Sequence, residues 1–503
     1  MQAKKYILMS VRVRFAPSPT GPLHIGGLRT ALYNYLFAKK MGGQMLLRIE
    51  DTDQTRFVPG AEEYITEALS WAGIKIDEGV KEGGPMGLYK QSERKEIYKE
   101  YTQELLDKGL AYYAFDTPEE LDALRKSLEE AKVDNISYNA VTRMQMKNSL
   151  TLSKEDSEAK IAAGEPYVIR LKVPLKEEIR FKDIVRDWVV VHSSTIDDKV
   201  LMKSDGMPTY HLANVVDDHL MQITHVIRGE EWLPSAPLHI LLYKSFGWEA
   251  PQFAHLPLLL KPEGNGKLSK RDGVLGDFPV FPLEWKDPAT GEIARGFRED
   301  GYYPDAVVNF LAFLGWNPGT DQEIMSLNEL IEAFDINHIH KAGARFDVNK
   351  AKWYNQHYLR QKPDEELANE LGLDDKNLAL SLVKLMKERV TFTKEISSEV
   401  PYIFSEVSTY DQEIATKKWD DMAKNAMPEI VNILDKIETF ESQNIHDALF
   451  AGLEEKGIKP GKVMQALRLA VTGEGKGPDL MLTLEILGKQ KSIMRINKAL
   501  EVL

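Results

Sequence analysis

The sequence predicts an α/β protein with a parallel sheet that an inserted segment divides, followed by an all-α region. Three observations lead to this class. A strand–helix–strand succession opens the chain, the α/β pattern returns over 209–255, and helical periodicity dominates beyond Pro304. Parallel strands joined through a helix need a right-handed crossover, so the opening succession marks the start of a parallel sheet.

The opening elements are bounded by clear signals. Residues 11–16 alternate apolar and polar side chains, as a strand with one buried face does, and the prolines of 17–22 prevent its continuation. Apolar residues then recur at helical spacing over 28–36, and a glycine pair ends that helix. Residues 44–50 form a second apolar strand.

The middle of the chain has a different character. A long charged helix is predicted over 91–110, and a capping box with proline at the first helical position starts another at 117–120. Strands are predicted at 167–173 and 188–192, and the returning α/β pattern contributes a strand at 223–227. We interpret the middle block as a domain inserted between two halves of the sheet.

These patterns divide the chain into four regions. They are the parallel-sheet domain at 1–89 and 202–262, the inserted domain at 90–201, a region with a lysine-containing loop at 263–345, and the all-α region at 346–503.

Length and composition limit the class of protein. A chain of 503 residues exceeds one hydrophobic core, and 43% hydrophobic with 28% charged residues is typical of a folded soluble protein. No uncharged run reaches membrane-spanning length and no signal peptide is recognisable, so we expect a cytoplasmic protein without membrane contact. Zero cysteines exclude disulfides, thiolate nucleophiles and thiolate-bound zinc. Met9 is as good a candidate start as Met1, because the first strand begins only at residue 11.

Two motifs suggest nucleotide chemistry. The first is His24-Ile-Gly-Gly27, a glycine pair at the mouth of a helix, where backbone amides and the helix dipole favour phosphate. The second is the basic run 267–271, Lys-Leu-Ser-Lys-Arg, whose charges can stabilise a departing pyrophosphate. Each alone is most often an ordinary turn or a solvated loop. Their occurrence together, on either side of an inserted domain, favours the chemical interpretation.

The chain resembles the class I aminoacyl-tRNA synthetases, and among them the bacterial-type glutamyl-tRNA synthetases. Six blocks in family order carry the resemblance: 14–21, 24–27, 48–53, 208–218, 227–232 and 267–271. It implies a Rossmann-like catalytic domain, an inserted domain that binds the tRNA acceptor stem, a stem-contact region and an α-helical anticodon-binding region.

The resemblance also implies the chemistry, which is ATP-dependent ligation of L-glutamate to tRNA(Glu) through glutamyl-adenylate, with Mg²⁺. His24, Lys267 and Lys270 are the implied catalytic residues, because they stabilise the transition state electrostatically. The implied ATP-binding residues are Thr20, His24, Gly26, Gly27, Glu231, Trp232, Leu268 and Lys270.

Recognition of an acidic amino acid calls for cationic groups. Arg14 and Arg228 each end a predicted strand, at the sheet edge where α/β proteins bind ligands, and arginine matches a carboxylate bidentately. The resemblance assigns both to the substrate side-chain carboxylate, and Glu50 to its ammonium group. The full implied glutamate-binding set is Arg14, Ser18, Glu50, Tyr210, Asn214 and Arg228.

The chain departs from its relatives at two places. Many relatives carry a cysteine-rich zinc site near 111–116, which this chain lacks, so we expect no structural zinc and packing by Tyr113 and Phe115 instead. The segment 278–298 is longer than the usual connection, and a tolerated surface insertion is its simplest interpretation. In the helical region, Arg389 falls where the family reads the third anticodon base.

Three alternatives remain at this stage. A non-discriminating enzyme would also glutamylate tRNA(Gln). A shortened relative glutamylates a modified base of tRNA(Asp), but that type lacks an anticodon region. An inactive RNA-binding paralogue would have no use for His24, Lys267 and Lys270. We expect a monomer.

Overall fold

The computed structural model describes residues 10–133 and 135–503, apart from the side chain of Lys270. Met1 and Met9, the two candidate starts, lie outside the described residues. The chain divides into two compact units, Met1–Ala351 and Lys352–Leu503. Among the described helices, none is long and apolar enough to cross a membrane.

The first unit is of mixed α/β type. Its strands are β1 (Arg12–Phe15), β2 (Gln44–Leu47), β3 (Ala111–Ala114), β4 (Val168–Leu171), β5 (Glu178–Asp183), β6 (Asp187–His192), β7 (Val200–Met202), β8 (His225–Gly229), β9 (Gln252–Leu256), β10 (Leu259–Leu260), β11 (Trp285–Lys286), β12 (Ile293–Ala294) and β13 (Ala344–Arg345). Its helices are α1 (Ile25–Lys40), α2 (Ala61–Trp71), α3 (Lys95–Asp107), α4 (Pro118–Glu130), α5 (Lys154–Ala162), α6 (Tyr210–Leu220), α7 (Ala236–Phe246), α8 (Lys270–Gly276), α9 (Phe297–Asp300), α10 (Pro304–Ala312) and α11 (Leu327–Ala333).

The rest of the chain is helical. Its helices are α12 (Val348–Gln361), α13 (Asp364–Glu370), α14 (Lys376–Met386), α15 (Glu395–Ser398), α16 (Pro401–Phe404), α17 (Gln412–Lys418), α18 (Asp421–Lys436), α19 (Ser442–Glu455), α20 (Pro460–Thr472), α21 (Leu480–Leu487) and α22 (Lys489–Val502). The predicted fold class is confirmed: an α/β unit with parallel strands comes first, and helices follow.

Parallel strands form the centre of the first unit. β1 pairs with β2, and β8 pairs with β9, both in parallel. β1 and β8 are tied together where the Thr224 amide donates to the Arg12 carbonyl at 2.9 Å. Arg14 and Arg228 therefore lie near the carboxyl ends of neighbouring strands, the sheet edge at which ligands bind in this class of fold.

The β5–β6 hairpin extends this central sheet, although it falls inside the predicted inserted region 90–201. β5 meets β9 in parallel through the pair Asp183 and Phe253, and the sheet order is β6-β5-β9-β8. Strand β5 was absent from our sequence prediction, but its side chains alternate between exposed and buried as a strand requires. Its end delivers Asp183, which is fully buried, to the ligand-binding side of the sheet.

Two predicted helices have different starts in the structure. The helix expected over 91–110 covers only α3, because a 3₁₀ turn over 91–94 precedes it. In that turn the Gln91 and Arg94 side chains point inward and donate to Asp217 at 2.9 and 2.8 Å. Helix α1 starts three residues earlier than its apolar pattern, at Ile25, because His24 caps it.

Candidate active site

A cavity of about 740 Å³ opens at the carboxyl ends of β1 and β8 and at the mouth of α1. This volume is in the usual range for small-molecule sites. The predicted site residues that line it are Arg14, Ser18, Thr20, Gly26, Gly27, Glu50, Tyr210, Asn214, Arg228, Glu231 and Trp232. His24, Lys267 and Leu268 are outside the lining, and the side chain of Lys270 lies outside the described residues.

The mouth of α1 is organised by His24. Its Nδ1 accepts a hydrogen bond from the Gly26 amide at 3.1 Å. An accepting Nδ1 carries no proton, so the neutral ring holds its hydrogen on Nε2, where it can be donated. Gly27 packs closely against Leu23: a Cβ at this position would lie 2.5 Å from Leu23 Cδ1, and the leucine side chain would have to move. Gly26 lines the cavity directly, so a ligand can approach the backbone there.

Arg14 is already paired with a carboxylate. Its Nε and Nη2 donate to the two oxygens of Asp218 at 3.0 and 3.2 Å, and the pair is almost completely buried. Arg48 donates to the same Asp218 at 2.8 Å. The two arginines outweigh the effect of burial and lower the pKa of Asp218, so it remains ionised.

Glu50 lies at the cavity end of this network. Its Oε1 accepts from Arg48 at 3.0 Å and from the Asn214 amide group at 3.2 Å, and Oε2 makes neither bond. Burial raises the pKa of Glu50, although Arg48 and Arg14 act in the opposite direction. Glu50 is therefore a buried carboxylate with one oxygen available at the cavity wall.

Sequence reasoning assigned no role to Asp217, Asp218 and Arg48. Asp217 is fully buried and accepts from Tyr98 at 2.8 Å in addition to its bonds with the 91–94 turn. All three lie in blocks that the sequence analysis had noted, 48–53 and 208–218. The signal that identifies them is an acidic pair and an arginine within otherwise apolar elements, since such charges are buried only when they are paired.

Arg228 differs from Arg14 in its partners. Its Nε donates to His255 Nε2 at 3.0 Å, Nη1 donates to the Tyr210 hydroxyl at 2.9 Å, and Nη2 donates to the Trp232 carbonyl at 3.3 Å. His239 Nδ1 lies 3.4 Å from Nη1. Among the described residues, no carboxylate forms an ion pair with Arg228, which is only 5% exposed. It is a buried cation held by neutral groups.

The lysine loop lies beside the cavity entrance. Lys267 Nζ donates to Glu231 Oε1 at 2.9 Å, and Glu231 itself lines the cavity. Burial acts against ionisation of Glu231, but the Lys267 hydrogen bond lowers its pKa. Leu268 is buried, and its amide donates to the Leu259 carbonyl at 2.8 Å. The backbone of Lys270 begins α8, which Ser269 and Asp272 cap.

The segment 278–298 is only partly a surface insertion. Its first half is buried and reaches the mouth of α1: the Val280 carbonyl accepts from the Ile25 amide at 2.9 Å, and the Phe281 ring meets the His24 ring edge-on at 6.0 Å. Its second half is the exposed β11–β12 hairpin. The structure thus links this segment to the capping histidine, which the sequence did not indicate.

Tyr113 and Phe115 each pack against a neighbouring aromatic ring, as expected. Both rings contact Tyr167 edge-on, at 5.1 and 6.2 Å between centroids. In the second unit, Arg389 is exposed just after α14, and its amide donates to the Met386 carbonyl at 2.8 Å.

Comparisons with known proteins identify the family of the chain. The family model "tRNA synthetases class I (E and Q), catalytic domain" matches residues 10–353, and an anticodon binding domain model matches 348–500. The chain is 61% identical over 501 residues to a glutamate–tRNA ligase of Cytophaga hutchinsonii, with 97% of each chain covered. It is 55% identical over 504 residues to one of Bacteroides fragilis, with 98% of this chain and 99% of the relative covered.

Solved structures give the same answer. The crystal structure of a glutamate tRNA ligase from Elizabethkingia meningosepticum, in complex with its amino acid, matches with a TM-score of 0.94 at 51% identity. The match covers 98% of this chain and 100% of the other. The chain therefore belongs to the class I tRNA synthetases of the E and Q group and, within that group, to the glutamate–tRNA ligases.

Proposed function

We propose that the protein ligates L-glutamate to tRNA(Glu) at the expense of ATP, through glutamyl-adenylate, and releases AMP and pyrophosphate. The observation that carries this proposal is the buried Arg228, which has no carboxylate partner in the described part of the chain and lines a cavity that begins at the mouth of α1. The similarity to glutamate–tRNA ligases, which extends over nearly the full length of the chain, supports it.

The buried charges around Arg228 fit glutamate. In the ion-pair network at the base of the cavity, Arg14, Arg48 and Arg94 are matched by Asp217, Asp218 and Glu50, so this network is neutral in itself. Arg228 adds one positive charge, which the side-chain carboxylate of glutamate balances and the neutral amide of glutamine does not. Glu50 Oε2 accepts a hydrogen bond from the substrate ammonium group. Arg14, Ser18, Tyr210 and Asn214 complete the pocket.

ATP occupies the side of the cavity next to α1. The Nε2–H of His24 and the positive end of the helix bind its phosphates, and Lys267 and Lys270 neutralise the charge that develops on pyrophosphate. Thr20, Gly26, Gly27, Glu231, Trp232 and Leu268 form the remaining ATP surface. Cavity-lining carboxylates, among them Glu231, would offer hard oxygen ligands to Mg²⁺, which would neutralise charge on the nucleotide phosphates.

The reaction needs no covalent enzyme intermediate. A carboxylate oxygen of glutamate attacks the α-phosphorus, and the bond to pyrophosphate breaks in line. A terminal ribose hydroxyl of the tRNA then attacks the activated carbonyl carbon and releases AMP. The protein contributes positioning and electrostatic stabilisation throughout.

The proposal also covers the roles of the other regions of the chain. The inserted region 90–201 binds the acceptor stem, 263–345 contacts the tRNA stem, and the helical region from 346 reads the anticodon through Arg389. The enzyme works as a cytoplasmic monomer. Without cysteine it holds no thiolate-bound zinc, and the aromatic packing of Tyr113 and Phe115 stabilises the region near 111–116.

Charging of two purified transcripts tests the proposal. With ATP and radiolabelled glutamate, tRNA(Glu) is expected to accept glutamate while tRNA(Gln) is not. Charging of both would show the relaxed enzyme, whose misacylated product an amidotransferase must convert. Charging of neither, in a preparation that binds tRNA, would show an RNA-binding paralogue and refute the proposal.

A further inference from the structure

Three buried side chains form a chain of hydrogen bonds behind the cavity. Asp183 Oδ2 lies 2.6 Å from His255 Nδ1, and His255 Nε2 accepts from Arg228 Nε at 3.0 Å. Asp183 and His255 are 0% exposed and Arg228 is 5% exposed. Neither Asp183 nor His255 lines the cavity; both lie behind Arg228, which does.

These contacts determine which nitrogen of His255 carries the hydrogen. Arg228 Nε can only donate, so His255 Nε2 must present its lone pair. Nδ1 then carries the hydrogen and donates it to the Asp183 carboxylate. Burial lowers the pKa of His255, and hydrogen bonds outweigh burial to lower the pKa of Asp183, so a neutral ring faces an ionised carboxylate.

Asp183 is itself held firmly. Its Oδ1 accepts from the backbone amides of Val185, Arg186 and His255 at 2.9, 2.8 and 3.3 Å. That oxygen must therefore be an acceptor, and Oδ2 is the atom left to face the His255 ring. The aspartate sits at the end of β5, next to its pairing partner β9, which carries His255. The two strands place both residues behind the end of β8, where Arg228 lies.

We propose that Asp183 and His255 are positioning residues, which fix the hydrogen of His255 on Nδ1 and thereby aim Arg228 at the side-chain carboxylate of the substrate. The inference rests on the proposed function of Arg228 as the group that reads glutamate. An interposed neutral ring orients the guanidinium without neutralising it, whereas a carboxylate bound directly to Arg228 would neutralise its charge, as Asp218 neutralises that of Arg14.

Asp183→Asn tests this assignment. The amide oxygen of asparagine keeps the three backbone bonds, so its NH₂ group faces His255 Nδ1 and forces the ring hydrogen onto Nε2. An N–H then opposes Arg228 Nε, and the arginine loses its orientation. Loss of a hydrogen bond to a charged group predicts a glutamate KM raised about ten- to a hundredfold, with the ATP KM unchanged within about twofold.

The decisive experiment measures the effect of Asp183→Asn in a protein that also carries His255→Gln. A glutamine carbonyl oxygen can take the position of Nε2 and accept from Arg228 whatever stands at 183. Asp183→Asn should then raise the glutamate KM less than about threefold in the His255→Gln protein. An equal rise in both backgrounds would show that Asp183 acts only through its backbone bonds, and would overturn the inference. Arg180→Gln, on the exposed face of the same strand, is the matched control and should leave the glutamate KM unaltered.

A second pair of variants covers poor folding of Asp183→Asn. His255→Gln is expected to stay within about threefold of the wild-type glutamate KM, whereas His255→Phe, which offers no acceptor, should raise it about tenfold or more. Equal values for the two would overturn the inference. Wild-type protein that charges no glutamate would instead refute the proposed function, so the two failures are distinguishable.

Discussion

Replacement of Arg228 by glutamine should remove the recognition of the glutamate side chain. Arg228 is a buried arginine of the cavity lining, and no carboxylate among the described residues forms an ion pair with it. Glutamine keeps a polar side chain of similar length but loses the charge. A substrate carboxylate in this pocket would then be desolvated without a cation to balance it.

The magnitude follows from the burial of the site. Truncation of one partner of a buried, hydrogen-bonded charge pair costs about 2–5 kcal/mol, which corresponds to about a 30- to 5,000-fold loss of glutamate affinity. Glutamine as substrate loses no ion pair, so the preference for glutamate over glutamine should fall by at least about 30-fold. The ATP site lies toward α1 and should be affected little.

Steady-state charging of tRNA(Glu) gives the required constants, with glutamate, glutamine and ATP varied in turn. Arg180→Gln serves as a control, because it removes an exposed charge from β5, in the same sheet. The thermal unfolding midpoint of both variants separates a lost contact from a lost fold. A glutamate KM within about threefold of wild type for Arg228→Gln would refute the reasoning, since even one hydrogen bond to a charged group is worth more.

Three further predictions concern other parts of the account. Asp218→Asn should destabilise the first unit by about 3–5 kcal/mol at pH 7, because two buried arginines lose their carboxylate. The pKa of Asp218 is lowered in the folded state, so its contribution is present above the unfolded-state pKa of about 3.9 and is lost as the pH falls; urea denaturation from pH 7 to pH 3 should show the difference shrinking. Lys267→Ala should reduce the charging kcat about 100- to 1,000-fold, while filter binding shows unchanged tRNA affinity; unaltered charging would remove Lys267 from the catalytic set. Arg389→Gln should cost about 1–3 kcal/mol in tRNA recognition if it reads a base, seen as a raised tRNA KM at constant glutamate KM; an equal effect on both constants would indicate a general loss of fold.

Local patterns predicted the parts of the site that depend on local structure. The alternation of 11–16 placed Arg14 at the end of a strand, and the strand–helix boundary placed His24 and its glycines at a helix mouth. The apolar pattern alone begins only at residue 28, three residues after the start of α1 at Ile25. The helix begins earlier because His24 caps it by accepting a hydrogen bond from the Gly26 amide. A pattern of apolar residues gives no information about such a cap.

Ion pairs and hydrogen bonds between residues far apart in the chain could not be predicted from the sequence. Arg14 and Arg228 looked equivalent, as two arginines at strand ends, but Asp218 lies 204 residues from Arg14 and neutralises it in the fold. The same holds for Asp183 and His255, which are 72 residues apart and meet only because β5 adds to the sheet. The residues of β5 do alternate between exposed and buried, but the strand was not predicted because many of its residues are charged.

The most direct test of the account is the stoichiometry of one reaction. Wild-type protein, tRNA(Glu) transcript, ATP with Mg²⁺ and radiolabelled glutamate should yield glutamyl-tRNA, AMP and pyrophosphate in equal amounts, with aspartate and glutamine nearly inert. Formation of ADP, or release of AMP and pyrophosphate without acylated tRNA, would contradict the assignment of this cavity to glutamate ligation.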